Sequence, residues 1–309
     1  MDKMLQMSSS PHIHSGRSTT SIMRDVLIAL APAAVAGCVI FGLRALLVLA
    51  VCALSCVAFE AGFNLLVKKE QTVGDLSAAV TGLLLGLNLP AGVPIWQCVI
   101  GSMFAIVVVK CLFGGIGCNL VNPAITARVF MLVAFGSVAS AAYPKVVDTV
   151  SGATPLAEIA SGNTPAIKDL LLGLRGGAIG ETCALALLLG FVYLLVRRVI
   201  TWHVPVAFIG TVFALSFAIE GFDAMSALAL ILSGGLFLGA IFMATDYVTS
   251  PATAWGKVIF GLGSGVLTVL IRFYGAYPEG VSFAILFMNI LTPYIEKWTS
   301  RRVFGGAKA

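Results

Sequence analysis

Charge is scarce in this 309-residue chain. Only 11% of its residues are Asp, Glu, Lys or Arg, while 59% are hydrophobic, and mean hydropathy is +1.01. A soluble globular domain carries about 25% charged residues, so that class is excluded. No segment shows the period-two alternation of barrel strands. The class that remains is an all-α polytopic membrane protein, because helices satisfy their own backbone in lipid. Histidine is rare, and none of the seven cysteines (38, 52, 56, 98, 111, 118, 183) forms a Cys-x-x-Cys pair. A self-contained zinc or iron–sulfur site is therefore not expected. Scattered through apolar runs, these cysteines read as small buried hydrophobes; Cys118, in a glycine-rich loop, remains open as a single ligand to a shared site. There is no Walker sequence, no His-Glu-x-x-His and no nucleophile elbow. The first twenty residues lack an apolar core, so no cleavable signal peptide is expected. The net charge of +5 is not clustered as a nucleic-acid partner would require.

What is present is a succession of apolar spans. Ten are expected, at roughly 24–43, 45–67, 76–90, 94–113, 123–142, 179–197, 204–220, 225–243, 254–274 and 280–296. Several are shorter than the ~20 residues of a square crossing, which points to broken helices packed around an internal site. The organisation reads as a cytoplasmic arm (1–20), membrane helices one to five (21–142), an outer polar loop (143–178), helices six to ten (179–296) and a cytoplasmic tail (297–309). Basic residues set the orientation. With both termini inside, eleven Lys and Arg fall in inner loops and tails, against Arg44, Lys145, Lys168 and Arg175 outside. Gly82-Leu83-Leu84-Leu85-Gly86 in the third span is echoed by Gly235-Leu236-Phe237-Leu238-Gly239 in the eighth. Spans five apart cross in opposite senses, as in an inverted repeat; close packing through small residues explains the same spacing.

Two polar loops stand out. Gly114-Gly115-Ile116-Gly117-Cys118-Asn119 leads to Asn122-Pro123-Ala124 and then Arg128. Thr245-Asp246 leads to Ser250-Pro251-Ala252 and then Lys257. Each opens a helix with Pro-Ala and carries a cation further in. That suits an anion or flavin pocket of Asn119, Asn122, Arg128, Asp246 and Lys257, or two helix caps with snorkelling basic groups. Glu181, in Gly180-Glu181-Thr182, is a carboxylate at the start of a span. It reads as a helix cap, or as a group on an ion pathway. Glu60, Asn64, Asp75 and Asn88 pose the same question.

The long polar loop holds Asp148-Thr149-Val150-Ser151-Gly152-Ala153-Thr154-Pro155. Glycine and proline keep such a stretch out of helix, and a turn with capping hydroxyls accounts for its composition. Asp-x-x-Ser-Gly-Ala-Thr also resembles the flavinylation motif of respiratory membrane complexes. Together with the Ser10-Pro11-His12-Ile13 arm, Gly114-Gly115-x-Gly117, Asn122-Pro123-Ala124, Gly180-Glu181 and Thr245-Asp246, it makes the chain resemble the D-subunit family of the Rnf complex along nearly its whole length. More distantly, the chain is similar to the B-subunit family of the sodium-pumping NADH:quinone reductase. The resemblance implies an oxidoreductase component of the bacterial inner membrane, passing electrons between ferredoxin and NAD and coupling them to Na⁺ or H⁺ movement. It implies FMN joined by its phosphate to Thr154, with Asp148, Ser151, Gly152 and Ala153 recognised by a flavin transferase, and a second, non-covalent riboflavin. Partners would be the A, B, C, E and G subunits and membrane lipid. A secondary transporter is the rival, supported by the broken spans and the repeat.

Overall fold

The computed structural model describes residues 17–135, 156, 159, 166–173, 176–275 and 280–300. Among them, regular structure is helical throughout. Helix α1 (Thr19–Phe41) starts where the Ser18 side chain accepts from the Ser21 N–H, and it ends at Gly42, whose φ of +70° suits a residue without Cβ. Helix α2 (Leu43–Val67) returns and closes at left-handed Lys68. Asp75 Oδ1 accepts from the Ser77 N–H at 2.8 Å and its hydroxyl at 2.6 Å, and α3 (Ser77–Leu87) begins there. Helix α4 (Ile95–Met103) passes into a π-helical stretch, Phe104–Cys111. Asn122 caps α5 (Pro123–Ala134), with proline at its first position. The short α6 (Ile167–Leu172) precedes α7 (Ala184–Val196), α8 (His203–Ile219) and α9 (Ala224–Leu232). Helix α10 (Leu236–Leu238) continues as the π segment Gly239–Met243, and α11 (Ala254–Tyr274) and α12 (Val281–Thr299) complete the order.

Among the described residues, α1, α2 and α11 are long and apolar enough to cross a membrane. The pair α9 and α10, bent by 64° at residues 233–235, adds a fourth if counted as one span. The polarity of α2 is inverted relative to a soluble helix. Leu54 and Leu66 are 70% and 85% exposed, whereas Glu60 is 2% exposed. Lipid is the solvent that accepts those leucines, while the interior pairs the carboxylate.

Two expected spans hold helices shorter than their apolar runs. Helix α3 stops at Leu87 inside the core, and α7 begins only at Ala184. Both stop because residues 179–180 lie against the end of α3. The Gly180 N–H donates to the Leu87 carbonyl at 2.8 Å, and the Ile179 N–H to Leu89 at 3.1 Å. These bonds satisfy backbone groups that a helix end would otherwise strand in an apolar interior. Gly82 and Gly86 bring α3 against α2: a Cβ at Gly82 would stand 2.6 Å from the Cys52 carbonyl oxygen. The main core joins Leu30, Leu85, Ile125, Met131, Ile179, Leu187, Phe208 and Phe260.

Candidate functional site

One end of the bundle gathers polar groups from several elements. Arg17 donates to the carbonyls of Arg197 and Arg198, at 2.8 and 3.0 Å, and Arg197 grips Asp25 of α1 at 3.1 Å. The Tyr247 hydroxyl donates to the Val199 carbonyl, and the Ala252 N–H donates to Glu296 at 2.9 Å. Just beneath lies a cavity of about 380 Å³, within the ~300–1,000 Å³ range of small-molecule sites. Its apolar walls include Ile22, Met23 and Val26 of α1, Val80 and Leu84 of α3, and Phe242. Its polar lining includes Ser77, Thr81, Lys110, Asn119, Asn122, Thr245 and Asp246.

Of the expected pocket, Asn119, Asn122 and Asp246 come together on this cavity. Asn119 is steadied by its amide on the Val121 carbonyl at 3.1 Å. Asn122 is held from two sides. Its side-chain oxygen caps α5, and its amide donates to the Met243 carbonyl at 3.3 Å. Its backbone N–H reaches the side-chain oxygen of Asn289, whose amide nitrogen faces the Thr249 carbonyl. Asp246 is partly exposed at the cavity, but its carboxylate sits among protein atoms, and burial raises its pKa above the usual carboxylate range. The Thr249 hydroxyl, at 3.1 Å, and two backbone N–H groups oppose that rise.

The two expected cations lie elsewhere. Lys257 donates to the Thr201 hydroxyl at 3.2 Å on the exposed rim. Arg128 points deeper and pairs with Glu181 at 2.9 Å, both being buried. It also donates to Asn88, the residue at which α3 stops. A Cβ at Gly235, in the α9–α10 break, would stand 2.5 Å from Glu181 Oε1. Arg128 and Glu181, expected at separate places, thus form one centre where three interrupted segments meet.

The cation that does line the cavity is Lys110, which falls near the end of an apolar run and is not singled out by its neighbours in sequence. Its ammonium donates to Glu60 at 2.8 Å and to Ser77 at 2.6 Å. Thr72 bridges Glu60, at 2.8 Å, to Asn64, at 3.0 Å. Glu60 Oε2 has no hydrogen-bond partner among the described residues. The available signal is a carboxylate and an ammonium in separate apolar runs, which favour each other's company in lipid.

The arrangement suits a flat heteroaromatic ligand. Apolar side chains can cover its faces, and amide and ammonium donors can meet its oxygen and nitrogen edge. Asp148, Ser151, Gly152, Ala153 and Thr154 lie outside the described residues.

Known proteins share this sequence along almost its whole length. The family model described as NQR2, RnfD, RnfE matches residues 6–305. The D subunit of the Na⁺-translocating ferredoxin:NAD⁺ oxidoreductase complex of Acetobacterium woodii is 48% identical over 98% of the chain and 96% of the relative. Its proton-translocating counterpart in Clostridium ljungdahlii is 41% identical over 97% and 96%. The D subunit of the ion-translocating oxidoreductase complex of Halorhodospira halophila is 35% identical over 98% and 96%.

Proposed function

The chain belongs to the NQR2, RnfD, RnfE family, and from that membership we propose that it is the flavin-carrying membrane subunit of an Rnf-type complex. That complex exchanges electrons between ferredoxin and NAD and moves Na⁺ or H⁺. In this reading FMN is joined as a phosphoester to Thr154 by a flavin transferase that recognises Asp148, Ser151, Gly152 and Ala153. A second flavin, riboflavin, occupies the cavity. The A, B, C, E and G subunits and lipid surround the chain.

The observation that carries the proposal is the cavity itself. It is large enough for a tricyclic ring, and it brings Asn119, Asn122 and Asp246 from distant stretches onto one lining. Flavins supply one- and two-electron chemistry when bound, and the protein's task is to position and tune them. Here Asn122 would orient the ring edge, with its own position fixed by Met243 and Asn289. Lys110 would hold positive charge beside the ring, and Ile22, Met23 and Phe242 would exclude water. Arg128 and Glu181 would mark the ion pathway, since a buried pair at interrupted helices is costly without a use.

Each of the ten apolar segments contains a helix, which supports ten crossings. The helix of the third ends early at Leu87 and the eighth is broken between Leu232 and Leu236, irregularities in corresponding segments that support an inverted repeat. The gathering of Arg17, Arg197, Arg198 and Lys257 at one end supports cytoplasmic termini and an outer Thr154 loop. The same interrupted helices favour a secondary transporter as the second reading.

Flavin content separates the two. The chain made with an active flavin transferase should carry an FMN-sized mass increment on the Thr154 peptide, absent in Thr154→Ala. It should also release riboflavin on denaturation. A colourless, unmodified chain would sink the redox reading and leave the transporter.

A further inference from the structure

We propose that Thr72, Glu60 and Lys110 form a proton conduit from the surface of the bundle to the cavity; the inference rests on the non-covalent flavin reading above. A hydrogen-bonded file joins the two places without a break. Thr72 is exposed in the link between α2 and α3, whereas Glu60 and Lys110 are buried. The Thr72 hydroxyl donates to Glu60 Oε1 at 2.8 Å, and the Lys110 ammonium donates to the same oxygen at 2.8 Å. Lys110 in turn lines the cavity.

The direction of each bond decides which way protons can run. A threonine hydroxyl has a single proton to donate. The Asn64 amide donates to the Thr72 oxygen at 3.0 Å, which leaves that proton for Glu60. Both donors meet on one carboxylate oxygen, so a proton that arrives from Thr72 can leave towards Lys110 without the carboxyl turning over. Glu60 Oε2 has no hydrogen-bond partner among the described residues, so the carboxylate is held through Oε1 alone. Ser77 anchors the ammonium and does not feed it: it accepts from Lys110 at 2.6 Å and gives its own proton to Asp75 Oδ1 at 2.6 Å. Lys110 also belongs to the π-helical stretch Phe104–Cys111, and such segments are rare and recur at functional sites. The second one, Gly239–Met243, brings Phe242 to the same cavity.

The protons balance along the file. A flavin bound in the cavity takes up protons at its ring nitrogens when electrons reach it. Lys110 gives one N–H proton to the ligand and becomes a neutral amine. The Glu60 carboxylate takes the Thr72 hydroxyl proton while Thr72 takes one from surface water. Glu60 then passes its proton to the Lys110 amine, which restores the ion pair. Only N–H and O–H bonds break and form, and no electron passes through the three side chains. The net change is one proton moved from water to the cavity. An ion pair that merely ties α2 to the π stretch needs Glu60 and Lys110, but it has no need of the Thr72 hydroxyl.

The test uses the full chain made without the flavin transferase and loaded with riboflavin. Wild type is compared with Thr72→Val, which keeps the shape and removes the hydroxyl, with Thr72→Ser, which keeps the hydroxyl, and with Glu60→Gln. A light flash in the presence of a soluble tertiary amine supplies the electrons. Transient absorbance and a pH-indicator dye follow proton uptake, and riboflavin content and the unfolding midpoint are measured on the same preparations. The expected result is equal riboflavin and equal midpoints in wild type and both Thr72 variants. Proton uptake should be about a hundredfold slower in Thr72→Val, the size of effect a positioned proton-transfer group has, and Thr72→Ser should restore it. Glu60→Gln should be as slow as Thr72→Val; if it does not assemble, the exposed Thr72 position decides alone. Riboflavin-loaded Thr72→Val that takes up protons at the wild-type rate would overturn the conduit and spare the flavin reading. Wild-type chain that binds no riboflavin would overturn both.

Discussion

Removing Lys110 from its partner tests whether the cavity wall is held by a mutual ion pair. Lys110 and Glu60 meet at 2.8 Å with side chains 4% and 2% exposed. At an effective dielectric near 20 their gross attraction is about 6 kcal/mol. Desolvating each ion costs several kcal/mol in return, so the pair nets little. The asymmetry appears when one member goes. Lys110→Met leaves the Glu60 charge buried with the Thr72 hydroxyl beside it and should cost about 3–5 kcal/mol. Glu60→Met should cost a comparable amount by stranding the ammonium. The double variant, an apolar pair of similar volume, should return to within about 2 kcal/mol of wild type, because neither charge is left behind. Unfolding by SDS titration in mixed micelles, followed by tryptophan emission, measures all four proteins. A double variant as unstable as the sum of the singles would refute the mutual pairing and show each charge held independently.

Asn122→Ala should lose the α5 cap, about 1 kcal/mol, and a similar amount for its buried tie to Met243; extraction of non-covalent flavin should show a much larger proportional loss than in a surface control such as Lys257→Ala. Gly235→Ala drives a Cβ to 2.5 Å from Glu181 Oε1 and should destabilise by about 1–3 kcal/mol, with Glu181→Gln Gly235→Ala no better, since the clash is with shape and not charge; melting curves of the two decide. Asp246 gives a pH signature. Its folded pKa is raised, so its ionised form weakens the fold at neutral pH, and that penalty fades as pH falls through the raised value towards the ordinary carboxylate range. Stability of the wild type relative to Asp246→Asn should therefore rise on acidification, and a difference that stays flat from neutral pH down to the ordinary carboxylate range at about pH 4 would contradict the burial.

The apolar runs were legible because hydropathy depends on local sequence alone. Each one predicts a helix, and α11 fills its expected 254–274 run fully. What the sequence could not show was where helices stop inside the core. Residues 179–184 sit in an apolar run like their neighbours, yet 179–180 stay out of helix because their N–H groups serve the end of α3, some ninety positions earlier. The meeting of Asn119 and Asn122 with Asp246 was readable from two similar polar loops. The choice of cation was not. Lys110 stands fifty residues from Glu60, and Arg128 suits the cavity by its place in sequence while its pairing with Glu181 draws it inward. Charge partners across a bundle depend on which helices touch, and spacing along one helix carries no trace of that.

The shared end of α3 also sets an order of manufacture. Leu87 and Leu89 offer carbonyls that are answered by residues 179–180. At a synthesis rate of about 5–20 residues per second, the third segment must wait roughly 5–20 s for its missing stretch to emerge. Until then its inner end has to borrow partners from water or from the insertion machinery. The first half of the chain is therefore not an independent folding unit, and two fragments made by dividing the chain within residues 136–155 should reach the membrane separately yet become protease-resistant only when made together.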